Sequence, residues 1–301
     1  MSVRRSLIFT VALLLAVVVR AADQVNLLAI GDWGADNSVQ AAVASAMASY
    51  VERNQIKLDA VLLLGDNFYV KLSGVDDPQW NTLFEQMYDP KRLAVPFYAA
   101  LGNHDYKDGK APIELDRAKQ NQKSRFKLPA RWYRVDLPPV ILLALDSNRK
   151  ELSEAQWTEQ TKWLKTELSK PHAGRWTICF AHHPLFSDSV HGDDATLQSD
   201  WGPAFKRHKT DFYLCGHDHC LEHLQIPGWP TSFIVSGGGG QSRYEIEREN
   251  RAKFARSDYG FVHLQFTADK ARVNFLDRDG KSLHVFERDH TGNVKIVSQP
   301  E

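Results

Sequence analysis

The chain has 301 residues, 37 Lys+Arg against 37 Asp+Glu, and no formal net charge. With 43% hydrophobic and 25% charged residues its composition is globular, which excludes disorder, collagen and coiled coil as the main state. Balanced charge argues against a dedicated nucleic-acid binder, and three cysteines are too few for a disulfide scaffold.

In chain order, Arg4 and Arg5 precede an apolar run from Leu7 to Val19, closed by Arg20-Ala21-Ala22-Asp23. A basic start, an apolar run too short to cross a bilayer and small residues at its end predict a cleaved signal peptide over residues 1–22. Residues 23–301 are then expected to form one exported domain, secreted, periplasmic or lumenal, monomeric and without a membrane span. Val25–Ile30 reads as a strand, Val39–Val51 as an Ala-rich helix and Ala60–Leu64 as a second strand. Gln79–Tyr88 follows as a helix and Phe97–Leu101 as a third strand. Such alternation predicts β-α-β units around a buried sheet. Trp132–Asp136 and Val140–Leu145, joined through Pro138-Pro139, read as a hairpin. Ser153–Leu168 opens with a capping-box pattern and carries Trp157, Leu164 and Leu168 at helical spacing. Then come a strand at Arg175–Phe180, a helix at Leu197–Arg207 and a strand at Phe212–Cys215. From Leu221 onward only strands are expected, at Phe233–Val235, Phe261–Phe266, Arg272–Leu276 and Leu283–Glu287. With no repeat and no linker, the sum is a mixed α/β (α+β) domain, a two-layer β-sandwich flanked by helices. Cys179 and Cys215 read as buried small hydrophobes, and Cys220 could pair with Cys215 only through a tight loop.

Five of these strands end alike, in an apolar run, a small residue and then polar residues of metal-ligand type. LLAIG leads to Asp32, LLLG to Asp66, YAALG to Asn103 and His104, ICFA to His182 and His183, and YLCG to His217 and His219. In open α/β sheets ligands bind beyond the carboxyl ends of the strands, so parallel strands would bring these tips to one pocket. The small residue before each tip lets the backbone turn sharply.

Together the tips resemble the calcineurin-like metallophosphoesterases, through Gly31-Asp32, Gly65-Asp66-Asn67, Gly102-Asn103-His104-Asp105, His182 and Gly216-His217-Asp218-His219. Tyr69, three residues after Asp66, and Gly31-Asp32-Trp33-Gly34 resemble the small, tartrate-resistant purple acid phosphatases. The resemblance implies a ferric site of Asp32, Asp66, Tyr69 and His219, and a divalent Fe, Zn or Mn site of Asp66, Asn103, His182 and His217. Hard oxygen donors suit Fe(III), and the mixed amide, carboxylate and imidazole set suits the divalent ion. It further implies an acid phosphatase acting on small phosphomonoesters, phosphoproteins or nucleotides by attack of a metal-bound hydroxide. His104 and His191 are the residues it supplies to bind phosphate and protonate the leaving group, with Asp105 orienting His104. A Mn- or Zn-dependent phosphodiesterase or nucleotidase is the alternative enzyme, and a non-catalytic binding protein on this scaffold the alternative of another class. Gly237–Gly240 reads as a tight turn by the pocket. Arg243, Arg248, Arg251, Lys253 and Arg256, alternating with Glu245, Glu247 and Glu249, read as a solvated face.

Overall fold

The computed structural model describes residues 24–172, 174–248 and 251–298, and the expected signal peptide lies outside the described residues. The first half of the fold runs β1 (Val25–Ile30), α1 (Ser38–Arg53), β2 (Ala60–Leu64), β3 (Phe97–Ala100), α2 (Asn103–Tyr106), α3 (Lys110–Gln120) and β4 (Phe126–Lys127). Next come β5 (Tyr133–Leu137), β6 (Val140–Ala144), α4 (Glu154–Ser169), β7 (Trp176–Phe180), α5 (Ala195–Asp200), α6 (Gly202–His208) and β8 (Phe212–Cys215). The chain closes with β9 (Leu221–Gln225), β10 (Ser232–Ser236), β11 (Ala252–Arg256), β12 (Gly260–Phe266), β13 (Lys270–Asp277), β14 (Ser282–Asp289) and β15 (Val294–Ser298).

Every strand expected from the sequence is present. The helix expected over Leu197–Arg207 is two helices, α5 and α6, broken at Trp201 where Pro203 cannot donate to the preceding turn. The segment expected to be helical at Gln79–Tyr88 winds as a π-helical turn over Trp80–Glu85. The strands form an eight-stranded sheet, β15-β14-β13-β12-β1-β2-β3-β4, and a seven-stranded sheet, β11-β9-β10-β8-β7-β6-β5. Within them β1, β2 and β3 run parallel, as do β6, β7, β8 and β10. Alternation along β6 shows how the layers are built. Val140, Leu142 and Ala144 enter the core between the sheets. Ile141, Leu143 and Leu145 face outward onto Trp157, Leu164 and Leu168 of α4 and Phe205 of α6. A strand buried on both faces has no polar side, which is why its sequence is one apolar run. Cys179, Cys215 and Cys220 are buried and free, so the Cys215–Cys220 pairing is absent. Among the described residues no helix is long and apolar enough to cross a membrane.

One polar pair sits between the layers. His223 on β9 and His284 on β14 are fully buried, with His223 Nδ1 3.0 Å from His284 Nε2. Gln225 Nε2 meets the other nitrogen of His223 at 3.0 Å, and Phe286 and Phe254 stack on the two rings. Burial holds His284 down to about 4. Burial, His284, Lys253 and Arg288 hold His223 well below its ordinary value. An imidazole in the unfolded chain takes its proton near pH 6.5. The unfolded state therefore binds more protons between pH ~6.5 and ~4, and stability is lost as pH falls through that window. The double variant His223→Leu/His284→Phe is expected to keep several degrees more of its neutral-pH Tm at pH 4.5 than the parent does. Parallel loss in the two proteins would refute this role for the pair.

Candidate active site

The tips of β1, β2 and β3 from one sheet and of β7 and β8 from the other converge, as parallel strands predict. Three of the expected ligands themselves occupy the left-handed region: Asp32 at φ 57°, Asp66 at φ 51° and His217 at φ 69°. The expectation that the preceding glycines make these turns is met only at Gly65, at φ 86°. Gly31 and Gly216 serve close approach instead, since a Cβ on Gly31 would lie 3.0 Å from Gly216 Cα. Non-glycine residues held at positive φ cost roughly 1–3 kcal/mol each and cluster where geometry is functional.

Asp32 Oδ1 accepts from the Tyr69 hydroxyl at 3.1 Å, and Oδ2 accepts from the His217 N–H at 2.9 Å. His219 Nδ1 lies 2.7 Å from the Ser242 carbonyl and must donate to it, so in the neutral ring Nε2 carries the lone pair. That lone pair is 3.3 Å from the Tyr69 oxygen and 3.4 Å from Asp32 Oδ1. His182 repeats the device, its Nδ1 donating to the Leu64 carbonyl at 2.9 Å. His182 Nε2 then faces Asn103 Oδ1 at 3.0 Å, His217 Nδ1 at 3.2 Å and Asp66 Oδ1 at 3.4 Å. The structure thus brings Asp32, Asp66, Tyr69, Asn103, His182, His217 and His219 together. Asp32, Asp66 and His182 place donor atoms within 4.8 Å of one another.

Among the described residues no guanidinium or ammonium offsets the two buried acids, and the only bases that face them are imidazoles. Asp32 is fully buried and Asp66 nearly so, and neither meets a Lys or Arg among the described residues. Burial, Asp32 and Asp66 push the Tyr69 phenol far above its ordinary value. A positive ion among these oxygens reverses that sign, because it is the largest local charge. Burial opposes a charged His182, yet Asp66 and Asp32 outweigh it and raise the ring. Burial and the neighbouring His182 and His183 hold His217 well below its ordinary value. Imidazole nitrogens, two buried carboxylates and a phenol are the donor set a metal centre needs, and these residues fit one.

His104 and His191 flank this cluster. The His104 ring lies 4.4 Å from that of Tyr69, the His104 backbone N–H donates to Asp66 Oδ1 at 2.8 Å, and Lys107 Nζ sits 3.1 Å from the ring Nε2. Burial and Lys107 hold His104 below its ordinary value against the pull of Asp66. The His191 ring lies 4.0 Å from that of His217, and Asp218 Oδ1 accepts from both its Nδ1, at 2.8 Å, and its N–H, at 3.1 Å. A cavity of about 330 Å³ opens here, bordered by His183, His191, Asp194 and His217. A larger groove of about 560 Å³ runs along α4 beside Trp157 and Asp200 and carries none of these side chains.

Asp105 does not orient His104. Its Oδ1 accepts from the N–H groups of Asn67 and Phe68 at 2.8 and 3.1 Å, and its Oδ2 from those of Gly102 and the Asn67 amide at 2.8 and 3.1 Å. It fastens the β2 and β3 tips to each other. Gly102 belongs to the same junction, since a Cβ there would lie 2.2 Å from the Asp66 backbone nitrogen and from its Oδ1. Gly237–Gly240 lies against the β1 and β8 tips, Gly237 N donating to Cys220 O at 3.0 Å and Gly239 N to Gly31 O at 3.1 Å. Sequence reasoning also passed over Asp218, although its place between His217 and His219 puts it on the opposite side of their turn. Tyr244, stacked on His219 at 4.1 Å, carried no signal.

The model of the calcineurin-like phosphoesterases matches residues 25–221. Purple acid phosphatase 17 of Arabidopsis thaliana is 32% identical, over 86% of this chain and 83% of its own. Tartrate-resistant acid phosphatase type 5 of Sus scrofa is 27% identical, over 85% of this chain and 84% of its own. The chain belongs to that family and, within it, to the purple acid phosphatases, which are phosphomonoester hydrolases. The family implies a binuclear metal centre. Among solved structures, GAP50, the anchor in the inner membrane complex of Plasmodium, superposes with a TM-score of 0.74 at 21% identity, over 92% of this chain and 90% of its own. The same fold therefore carries an anchor as well as phosphatases, so function lies in the site and not in the fold.

Proposed function

We propose that this chain is an exported acid phosphatase with a ferric ion held by Asp32, Asp66, Tyr69 and His219. Asp66, Asn103, His182 and His217 would hold a divalent Fe, Zn or Mn, so Asp66 would serve both positions. The observation that carries this reading is two buried carboxylates, paired with no Lys or Arg among the described residues, facing the Nε2 atoms of two imidazoles whose Nδ1 atoms are taken by carbonyls. When bound, the two ions supply Lewis-acid polarisation of the phosphoryl oxygens and a water ionised at acid pH. His104 and His191 bind the phosphate from either side of the cluster, and an imidazole protonated in acid gives the leaving alkoxide its proton. Asp218, fully buried, keeps His191 Nδ1 occupied so that Nε2 is the nitrogen left for the substrate. Small phosphomonoesters, phosphoproteins and nucleotides are the substrate class, and a monomer with its leader removed near Asp23 is the working form.

Metal analysis with a visible spectrum tests this. The parent is expected to bind iron and to absorb through a phenolate band, and Tyr69→Phe to lose that band while keeping its fold. A colourless, iron-free protein active mainly on diesters would favour the phosphodiesterase reading. Metal-loaded protein without turnover would favour a binding protein.

A further inference from the structure

The loop from β7 to α5 carries His182, His183 and His191. Glu222 accepts from the Ser187 hydroxyl and the Asp188 N–H at 3.0 and 2.9 Å, and a second distant side chain grips the limb on both sides of His191. Arg251 Nε donates to Asp188 Oδ1 at 2.7 Å. Its Nη1 and Nη2 donate to the two oxygens of Asp193 at 2.8 and 2.7 Å, and Nη2 also reaches the Ser187 carbonyl at 2.8 Å. Asp188 stands three residues before His191 and Asp193 two after it, so the guanidinium grips the loop on both sides of the imidazole. Asp188 is fully buried, its other oxygen taking the Ala252 N–H at 2.9 Å and its carbonyl the Glu247 and Arg248 N–H groups at 2.8 and 3.0 Å. Its only guanidinium or ammonium partner among the described residues is Arg251. Removing that partner leaves a buried charge uncompensated, which a loop relieves by moving or by taking in water. Arg251 is therefore no part of a solvated face, as its alternating sequence neighbourhood suggests.

We propose that Arg251 is a positioning residue. Its planar fork, closed on Asp188 and Asp193, fixes the loop so that His191 stays against His217 and Asp218, where it meets the leaving group. Asp218 holds the ring and the N–H of His191 itself, and Arg251 fixes the backbone three residues before it and two after it. Lysine reproduces the fork only in part, because an ammonium has three donors on one atom where Arg251 makes four hydrogen bonds from three separated nitrogens. The inference rests on the reading of His191 as proton donor, and the test separates the two.

The test compares Arg251→Gln, Arg251→Lys, Asp193→Asn, His191→Ala and the Arg251→Gln/His191→Ala double variant. Each is assayed on an aryl phosphate, with a good leaving group, and on an alkyl phosphate, with a poor one. His191→Ala is expected to lose about 10²-fold on the alkyl ester and much less on the aryl ester. Arg251→Gln is expected to show the same selectivity at roughly 10-fold or more, Asp193→Asn a smaller loss, and Arg251→Lys a value between Gln and parent. The double variant is expected to be no worse than His191→Ala, since a residue acting through another adds nothing once that other is gone. In metal-free protein, amides of residues 187–193 are expected to exchange faster in Arg251→Gln, with those of β7 and β8 unchanged. Equal loss on both esters, full additivity with His191→Ala, or unaltered exchange would overturn the clamp while leaving His191 its role. Loss in His191→Ala that ignores the leaving group would overturn that role itself. Should Arg251→Gln fail to fold, Asp193→Asn and Arg251→Lys carry the same comparison.

Discussion

On the proposed two-metal reading, Asp66→Asn is expected to cost about 10³-fold or more in turnover, because several kcal/mol of transition-state stabilisation would leave with the charge that both metal positions would share. The substitution keeps the side chain's shape and an oxygen for the His104 N–H, now 2.8 Å away. The fold has no reason to suffer. In metal-free protein the variant is expected to be as stable as the parent or more so, since a buried charge with no guanidinium or ammonium partner among the described residues has been removed. Activity and stability thus move in opposite directions. Metal content per chain, apo-protein Tm and turnover measured on one preparation check this, and full activity with two bound ions would sink the reading of Asp66.

Asp105→Ala is expected to act the other way, on the frame first and on chemistry through it. The lost carboxylate strands the backbone N–H groups of Gly102, Asn67 and Phe68 in a site where Asp105 itself is fully buried. Each orphaned donor costs roughly 1–3 kcal/mol, so a total of about 4 kcal/mol and a Tm drop on the order of 10 °C are expected. Burial and Asp66 push Asp105 up to about 7. Glu114, also fully buried, shares Asn67 Nδ2 with it at 3.0 Å and is raised by burial and by Asp105. The pair accommodates one charge more readily than two. A thermal melt of the variant that overlays the parent would show that the Asn67 and Gly102 turns hold without their shared acceptor.

Much of the site was legible because its chemistry is punctuated. An apolar run, a small residue and then Asp, Asn or His mark a buried strand delivering a side chain to its end, and at β1, β2, β3, β7 and β8 the structure bears this out. The hairpin β5–β6 and the capping box of α4 were legible for the same reason, as local patterns with a local cause. What escaped depends on distance along the chain. Arg251 reaches Asp188 across 63 residues, and no periodicity around residue 251 encodes that. The role of Asp105 hid behind its neighbour His104, because the α2 turn aims adjacent side chains in different directions. α3 opens on Lys-Ala-Pro and is mostly polar, and β4 spans two residues, so neither carried a hydrophobic pattern to read. The left-handed conformations of Asp32, Asp66 and His217 are invisible to any rule that reserves such turns for glycine.

The site also straddles the sandwich. Asp32, Asp66 and Asn103 hang from the eight-stranded sheet, and His182, His217 and His219 from the seven-stranded one. An ion coordinated by both sets would be a rivet between two layers that otherwise meet mainly through apolar side chains. Its affinity then contains the free energy of keeping the sheets in alignment, and the alignment gains whatever the ion supplies. Substitutions deep between the layers, around Trp176 or Phe180, belong in this light with the ligands: they would loosen the grip on metal without touching it.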